Sequence, residues 1–553
     1  MDRSIAVWVG AAVALVVLIA LPLGWLGWLS VSGEHGTTLA HYRDAFTDPA
    51  LQKALWNTVV LAFWVGLVSV AIGAPLAWLT ARTDVPGRGL IRGLVLASFV
   101  TPPFLGAFAW VMLAGPNAGI LNTFWRSVTG ADAPLLNIFT MPGLVFVVSI
   151  YTFPYVYIMV ANTLALIASD LEEAAAILGA GRLAVARTVT LPMVLPALAS
   201  GFILAVLQAL ALFGSPAILA LPAGFHTVTT QIWSLFQFPP KVEQAAAFSV
   251  PLLLATALLL DIQKRLLGRR GYAAVGGKGG QRRIIALGRW RWPALAACLV
   301  VMSGAIFLPY GVLAKGAFSR AWAQPLSRDN LTLANFAFTF FEYGSTRAAI
   351  VNTLELAVLT ACIGAAMVAL LSYVTNRRLV VGHQLVAFLV LAPVVVPGVV
   401  LAVGLFIAYT RPPFVLYGTL WILFLAYLTK EMPVGYAQAD ATFRAIPADL
   451  EDAGRVLGAG RLRILKEITA PLAKSGIIAA WCFIFIGVIR ELSASILLFT
   501  PSTKVMSVVI FDLKEEGQFG AISVLGLVML GLTFATVALV QAALGRDVLG
   551  ARR

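Results

Sequence analysis

The chain has 553 residues, of which 60% are apolar and 12% charged, with a formal net charge of +14. An average soluble domain is about half apolar and about a quarter charged, so the composition argues against a water-soluble globule. A basic excess suggests nucleic acid in a soluble protein, but in a chain of recurring apolar runs it sets membrane topology, and the ten-residue alternation of an outer-membrane barrel is absent.

Uncharged apolar stretches of about 18 to 25 residues predict membrane helices. Six fall near 5–29, 55–80, 90–114, 141–165, 196–221 and 244–262. Six more fall near 293–314, 349–374, 384–409, 414–434, 476–500 and 520–544. The first follows Arg3, is too long for a signal peptide and has no small-x-small cleavage site, so it is read as a retained helix. Pro102-Pro103 and Pro393 with Pro397-Gly398 interrupt the third and ninth spans, where proline kinks a helix. Trp25, Trp28, Trp290 and Trp292 near span ends read as interfacial anchors. Cys298, Cys362 and Cys482 each sit inside an apolar run and read as small core residues.

Between the sixth and seventh spans, residues 264–291 carry nine Lys or Arg and no acid. This Gly-rich basic linker is expected in the cytoplasm, which divides the chain into a first six-span half (1–263), the linker (264–291) and a second half (292–553). Alternating the loops from there gives 26 basic residues on the linker's side and 11 opposite, with Lys430 and Arg490 inside spans, which places both termini in the cytoplasm. Lys430 and Glu431 are expected near the cytoplasmic end of span ten, where Lys can snorkel.

The halves are related by sequence. Residues 171–192 read LEEAAAILGAGRLAVARTVTLP and residues 450–471 read LEDAGRVLGAGRLRILKEITAP, a shift of 279 with eleven of 22 positions identical. Asn57-Thr58 opens span two as Asn352-Thr353 opens span eight, and Pro102-Pro103 matches the Pro393–Pro397 region, at a shift near 295. The first half therefore holds about 15 extra residues, expected within 115–140. Two six-span units in the same sense form a parallel duplication, an all-α polytopic membrane protein of about twelve transmembrane helices.

Both repeated segments fall in cytoplasmic loops, near 169–192 and 447–471. Ser169 and Glu172 form an S-x-x-E capping box, Asp449 follows Pro447 at a helix-start composition, and Gly179-Ala180-Gly181 and Gly458-Ala459-Gly460 mark a sharp turn into a second helix. Ordinary helix-start charge explains a single such cluster; the duplicated spacing does not follow from capping alone.

These segments resemble the cytoplasmic "EAA" loop of permease subunits of bacterial ATP-binding-cassette importers, whose pattern is E-A-A, three residues, G, nine residues, I-x-L-P. Glu173-Ala174-Ala175, Gly179, Val189 and Leu191-Pro192 fit it with Val for Ile. Asp452-Ala453-Gly454, Gly458, Ile468 and Ala470-Pro471 keep the spacing with Asp for Glu, Gly for Ala and Ala for Leu. The resemblance implies two separate ATPase subunits that carry the ATP and Mg, each gripping one loop. Candidates for that coupling are Glu172, Glu173, Ala174, Ala175 and Gly179, and Glu451, Asp452, Ala453 and Gly458. It also implies a periplasmic solute-binding protein docking opposite, in a bacterial inner membrane.

The resemblance sharpens toward the fused two-repeat permeases of ferric-iron importers, through Phe213-Gly214-Ser215-Pro216-Ala217-Ile218-Leu219 and Arg490-Glu491-Leu492-Ser493-Ala494-Ser495. Thiamine, phosphonate, polyamine and sulfate permeases share the scaffold. Span five of each half resembles the pore-lining element of the family, making Gln208, Phe213, Ser215, Pro216, Ser493 and Ser495 candidates for the pathway or its gate. Arg490 and Glu491, inside an apolar run, read as a structural or gate-forming polar pair, since isolated charges there are costly.

No nucleotide or metal site is expected in the chain. Residues 271–279 lack the G-x4-G-K-[ST] spacing, and His35, His41, His226 and His383 are scattered. Two other classes stay open: an ion-coupled secondary transporter, against which the scarcity of central acids speaks, and a structural or assembly membrane protein.

Overall fold

The computed structural model describes residues 10, 13–33, 36–167, 169–268 and 284–544. The linker's cations from Arg269 to Arg283 lie outside the described residues, as does the side chain of Ser169 with its expected cap. Apart from one small hairpin and two isolated bridges, the described regular structure is helical. That follows from the solvent: in hydrocarbon a segment must bond its own N–H and C=O groups.

In chain order the first-half helices are α1 (Val13–Ser30), α2 (Pro49–Arg82), α3 (Arg88–Val100), α4 (Pro103–Ala114), α5 (Ile120–Thr129) and α6 (Met141–Leu166). Then come α7 (Ser169–Ile177), α8 (Leu191–Ala211), α9 (Gly214–Leu219), α10 (Val228–Leu235) and α11 (Val242–Gly268). The second half has α12 (Gly288–Ala317), α13 (Gly344–Asn376), α14 (His383–Leu391), α15 (Gly398–Tyr409) and α16 (Leu420–Ala445). It ends with α17 (Asp449–Val456), α18 (Ala470–Ile489), α19 (Ser495–Leu498), α20 (Met506–Glu515) and α21 (Phe519–Leu544).

Among the described residues nine helices are long and apolar enough to cross a membrane, or up to eleven if each of two bent pairs counts as one span. The remaining expected span is α16, which Lys430 and Glu431 make more polar than the others. These two residues lie in the middle of the 26-residue helix, not near its end as expected. Lys430 does not snorkel there; it is held by an ion pair with Glu491.

The prolines do more than kink their spans. The axes of α3 and α4 differ by 100°, and the corresponding pair in the second half differs by 107°. Thr101, Pro102 and Val396 are extended, each standing before a proline whose ring disfavours helical backbone at the residue before it, and Pro397, before Gly398, has φ −57° and ψ 143°. The fifth spans are also broken. Instead of running to 221 and 500, the long helices stop at Ala211 and Ile489, and the short helices α9 and α19 follow. The extra residues of the first half form α5, whose buried Asn122 donates to the Gly115 carbonyl at 2.9 Å and the Leu136 carbonyl at 2.7 Å.

The chain divides into two compact units, residues 46–231 with 251–331, and residues 1–45 with 232–250 and 332–553. These boundaries cut across the linear halves, because each unit joins the core of one half to the first span of the other. In the first unit α2 packs on α6 and α8, and α12 lies against α4. A Cβ at Gly73 would stand 2.8 Å from the Phe153 carbonyl oxygen, so glycine is what lets α2 and α6 approach. Thr101 and Tyr310 share a 2.6 Å hydroxyl bond that fastens α12. In the second unit α13 packs on α16 and α18, and α1 lies against α15. Tyr409 donates to the Val17 carbonyl at 2.7 Å and closes that contact.

Candidate functional site

The repeated segments take the same local form. Helices α7 and α17 each end at a glycine in the left-handed region, Gly179 with φ 88° and Gly458 with φ 83°. The Ala180 N–H then donates to Ala175 O at 3.0 Å, and the Ala459 N–H to Gly454 O at 3.0 Å. These bonds satisfy carbonyls left open at a helix end and aim the chain sharply into the next helix. The Ala-to-Gly change at 454 has a packing explanation. A Cβ there would meet Ile468 Cδ1 at 3.1 Å and Ile464 Cγ1 at 3.2 Å, whereas at the corresponding positions the first copy has Ala175 with the smaller Val189 and Val185. Volume removed from one side of the contact returns on the other.

The paired acids of each segment divide between two environments. Glu172 Oε1 accepts from the Thr190 hydroxyl at 2.8 Å, and its Oε2 lies 3.7 Å from Arg82 Nη1. Arg82, the last residue of α2 and 3% exposed, also donates through Nη2 to the Ile167 carbonyl at 3.1 Å. In the second copy Glu451 is 1% exposed, and its Oε1 accepts from Arg377 Nε at 2.9 Å and from the Thr469 hydroxyl at 3.0 Å. Arg377, at the end of α13, donates through Nη2 to the Ile446 carbonyl at 3.1 Å. Tyr373 adds a 3.3 Å bond to Glu451 Oε2. The same arginine, glutamate, threonine and carbonyl thus recur in both halves. Glu172 and Glu451 face inward, and the neighbouring carboxylates Glu173 and Asp452 are exposed, Asp452 with a 2.8 Å pair to Arg455.

Beyond them each helix ends in two bare apolar side chains. Ile177 and Leu178 are 85% and 87% exposed, and Val456 and Leu457 are both 87% exposed. Ala174 and Ala453 continue this face as small exposed residues, and Ala175 is half-buried. Neither the apolar tips nor the two arginines figured among the expected site residues. Their signal was present: the tips repeat at the 279-residue shift and the arginines at 295. Next to the first-half cluster, Ile285 N donates to the Arg82 carbonyl at 2.8 Å and Leu287 N to Asp84 Oδ1 at 2.8 Å, so the end of the basic linker is fastened beside it.

The expected pathway residues divide between the two units. Gln208 is exposed on α8, whereas Phe213, Ser215 and Pro216 are fully buried around α9, with Ser215 donating to the Pro103 carbonyl at 3.0 Å. In the other unit Glu491 pairs with Lys430 of α16. Glu491 Oε1 also accepts from the Ala494 N–H at 2.8 Å, and its carbonyl accepts from Ser507 at 2.6 Å. Ser495 shares a 2.7 Å bond with Tyr427, and Ser493 is buried beside them. A Cβ at Gly398 would stand 3.0 Å from Lys430 Nζ and 2.9 Å from Ser493 Cβ, so the break before α15 is shaped around this cluster. The matching first-half positions, Tyr151 and Leu212, are uncharged.

At the other ends of α2 and α13 lies a second repeated arrangement. Asn57 Nδ2 donates to the His226 carbonyl at 2.9 Å, and the Val228 N–H donates to Thr58 Oγ1 at 2.8 Å. Asn352 Nδ2 donates to the Lys504 carbonyl at 2.9 Å, and the Met506 N–H to Thr353 Oγ1 at 2.9 Å. Both pairs hold the loop that follows the short helix α9 or α19. Burial lowers the His226 imidazole below its usual range.

The model of the family described as "Binding-protein-dependent transport system inner membrane component" matches residues 73–270 and 361–549. The ferric transport system permease protein FbpB of Actinobacillus pleuropneumoniae is 26% identical over 494 residues, 88% of this chain and 70% of that protein. The Fe(3+)-transport system permease protein FbpB 2 of Haemophilus influenzae is 22% identical over 518 residues, 92% of this chain and 93% of that one. Among solved structures, a chain of a bacterial alginate ABC transporter in complex with an alginate pentasaccharide-bound periplasmic protein is 17% identical, with a TM-score of 0.42, covering 48% of this chain and 94% of that one. With the family domain present twice and helices fit to cross a membrane in both copies, the chain belongs to the inner-membrane components of binding-protein-dependent transport systems.

Proposed function

We propose that this chain is the transmembrane permease subunit of an ATP-driven importer, with ferric iron as its cargo. Two separate ATP-binding-cassette ATPase subunits hold the ATP and Mg and perform the hydrolysis; this chain binds no cofactor of its own. One ATPase grips α7 through the Ile177-Leu178 tip and the Glu173 carboxylate, the other grips α17 through Val456-Leu457 and Asp452. A cargo-loaded periplasmic protein docks on the opposite side, both termini and the basic linker lie in the cytoplasm, and closure of the ATPase pair biases the permease between inward-open and outward-open states.

The observation that carries this reading is the duplicated short helix with a bare apolar end on a rigid, internally bonded base. Two exposed aliphatic side chains beside a carboxylate, on a helix fixed by a left-handed glycine turn, are what a groove on a soluble partner can seize. The names of the relatives support ferric iron over thiamine, phosphonate or polyamine.

The test is reconstitution in vesicles with the cognate ATPase and binding protein. Uptake of radiolabelled ferric ion that needs both ATP and the binding protein is the expected result. Uptake driven by an ion gradient without any ATPase would instead make the chain a secondary transporter. Cargo is tested separately, by the ligand that the cognate binding protein carries when purified.

A further inference from the structure

The geometry points to the second helix of each half, α2 and α13, as a connecting rod between the ATPase-facing helix and the loop at the opposite end of the same half. This inference rests on the importer reading, and it assigns positioning roles to Arg82, Arg377, Asn57 and Asn352, which lie outside the repeated loops. At one end of α13, Arg377 holds Glu451 of α17 at 2.9 Å and Thr469 closes the same carboxylate at 3.0 Å. At its other end, Asn352 and Thr353 hold the backbone of Lys504 and Met506 at 2.9 Å each. In the first half, Arg82 and Thr190 meet Glu172, while Asn57 and Thr58 meet His226 and Val228.

Three features make this a rod and not two unrelated contacts. Both sets of bonds repeat in the two halves, although their residues sit in different sequence registers, shifted by 295 on the long helix, by 279 at the acid and by 278 in the far loop. Between them runs one unbroken helix of 34 residues in α2 and 33 in α13, whereas the third and fifth spans of each half are interrupted. The 25 residues from Asn352 to Arg377 span about 37 Å at about 1.5 Å per residue, the depth of a bilayer. A helix transmits displacement along its axis only if both ends are fastened, and here the fastenings are an ion pair with extra hydrogen bonds at one end and paired side-chain-to-backbone bonds at the other. The outward acids Glu173 and Asp452 serve docking; the inward acids Glu172 and Glu451 serve transmission.

The experiment compares two double variants in the full transporter with its ATPase and its ferric-loaded binding protein. One is Glu172→Gln with Glu451→Gln, the other Asn57→Ala with Asn352→Ala. For both, the ATPase copurifies at unchanged stoichiometry and hydrolyses ATP, but ferric ion taken up per ATP falls at least tenfold. Combining all four substitutions lowers the ratio no further than either pair alone, since both interrupt one linkage. An unchanged ratio in either pair, or independent losses that multiply, would overturn the inference. Loss of ATPase binding in the glutamine pair would also overturn it, by making the ion pair a support for docking. Each of these outcomes leaves the importer reading intact. Failure of the unmutated complex to take up ferric ion with ATP would remove both.

Discussion

Replacing Leu178 and Leu457 by serine should detach the ATPase without unfolding the permease. Both leucines are 87% exposed, so they add nothing to internal packing, and Ser at either position removes only side chain that faces outward. Burying a leucine in a partner is worth about 1.5 to 3 kcal/mol, so each substitution should weaken its own docking site about 10- to 150-fold. A single variant leaves one loop engaged; the double variant removes about 3 to 6 kcal/mol and should abolish copurification. The assay is equilibrium binding of ATPase to detergent-solubilised permease, with thermal unfolding measured alongside. A double variant that binds the ATPase within twofold of the unmutated chain would refute the assignment of these tips as the docking surface. So would a fall in unfolding temperature large enough to account for the lost binding.

Other substitutions test the parts beneath that surface. At Gly458, where a Cβ would meet no atom within 4 Å, the penalty is backbone alone, so Gly458→Val should cost about 1 to 3 kcal/mol and Gly458→Asn less, read as the retained fraction of bound ATPase. Gly73→Ala drives a methyl against the Phe153 carbonyl and should destabilise the permease by about 1 to 3 kcal/mol in detergent unfolding, with ATPase affinity per folded molecule unchanged. Lys430→Met leaves Glu491 without its ion-pair partner inside the protein and should cost about 3 kcal/mol, and adding Glu491→Gln should recover much of that loss in the same unfolding assay.

Much of the architecture was legible because the bilayer imposes a simple demand on composition. Long uncharged runs marked the spans, and the shift between the repeats located the extra residues that form α5. Tertiary exchange was not legible. Nothing in the apolar run 5–29 says that its helix will lie against α15 of the other half, because a leucine stripe suits any partner with small residues; the close approach depends on Gly404, whose Cβ would stand 2.8 Å from the Pro22 carbonyl. Prolines in a span were readable as interruptions, but a kink and a bend of 100° differ by whether two successive residues turn extended, which the third and ninth spans do.

The candidate site was half legible. Duplicated spacing found the loops and their glycines. Adjacent acids looked equivalent on paper, yet neighbouring residues on a helix point about 100° apart, so one of each pair must face the body of its unit while the other faces out. The buried one needs a cation, and Arg82 and Arg377 were countable at the ends of their spans, where the charge tally treated them only as topology signals. Lys430 and Glu491 are 61 residues apart and could be joined only by the fold.

The most direct test of the whole account is site-specific crosslinking of Leu178→Cys and Leu457→Cys, in a chain freed of its other cysteines, to the ATPase in native membranes. The account predicts that both positions crosslink to an ATPase subunit, and that both react with an impermeant thiol reagent only from the cytoplasmic face once the ATPase is removed. Labelling of the two positions from opposite faces of the membrane would contradict it, since no pair of ATPases on one side could then hold both loops.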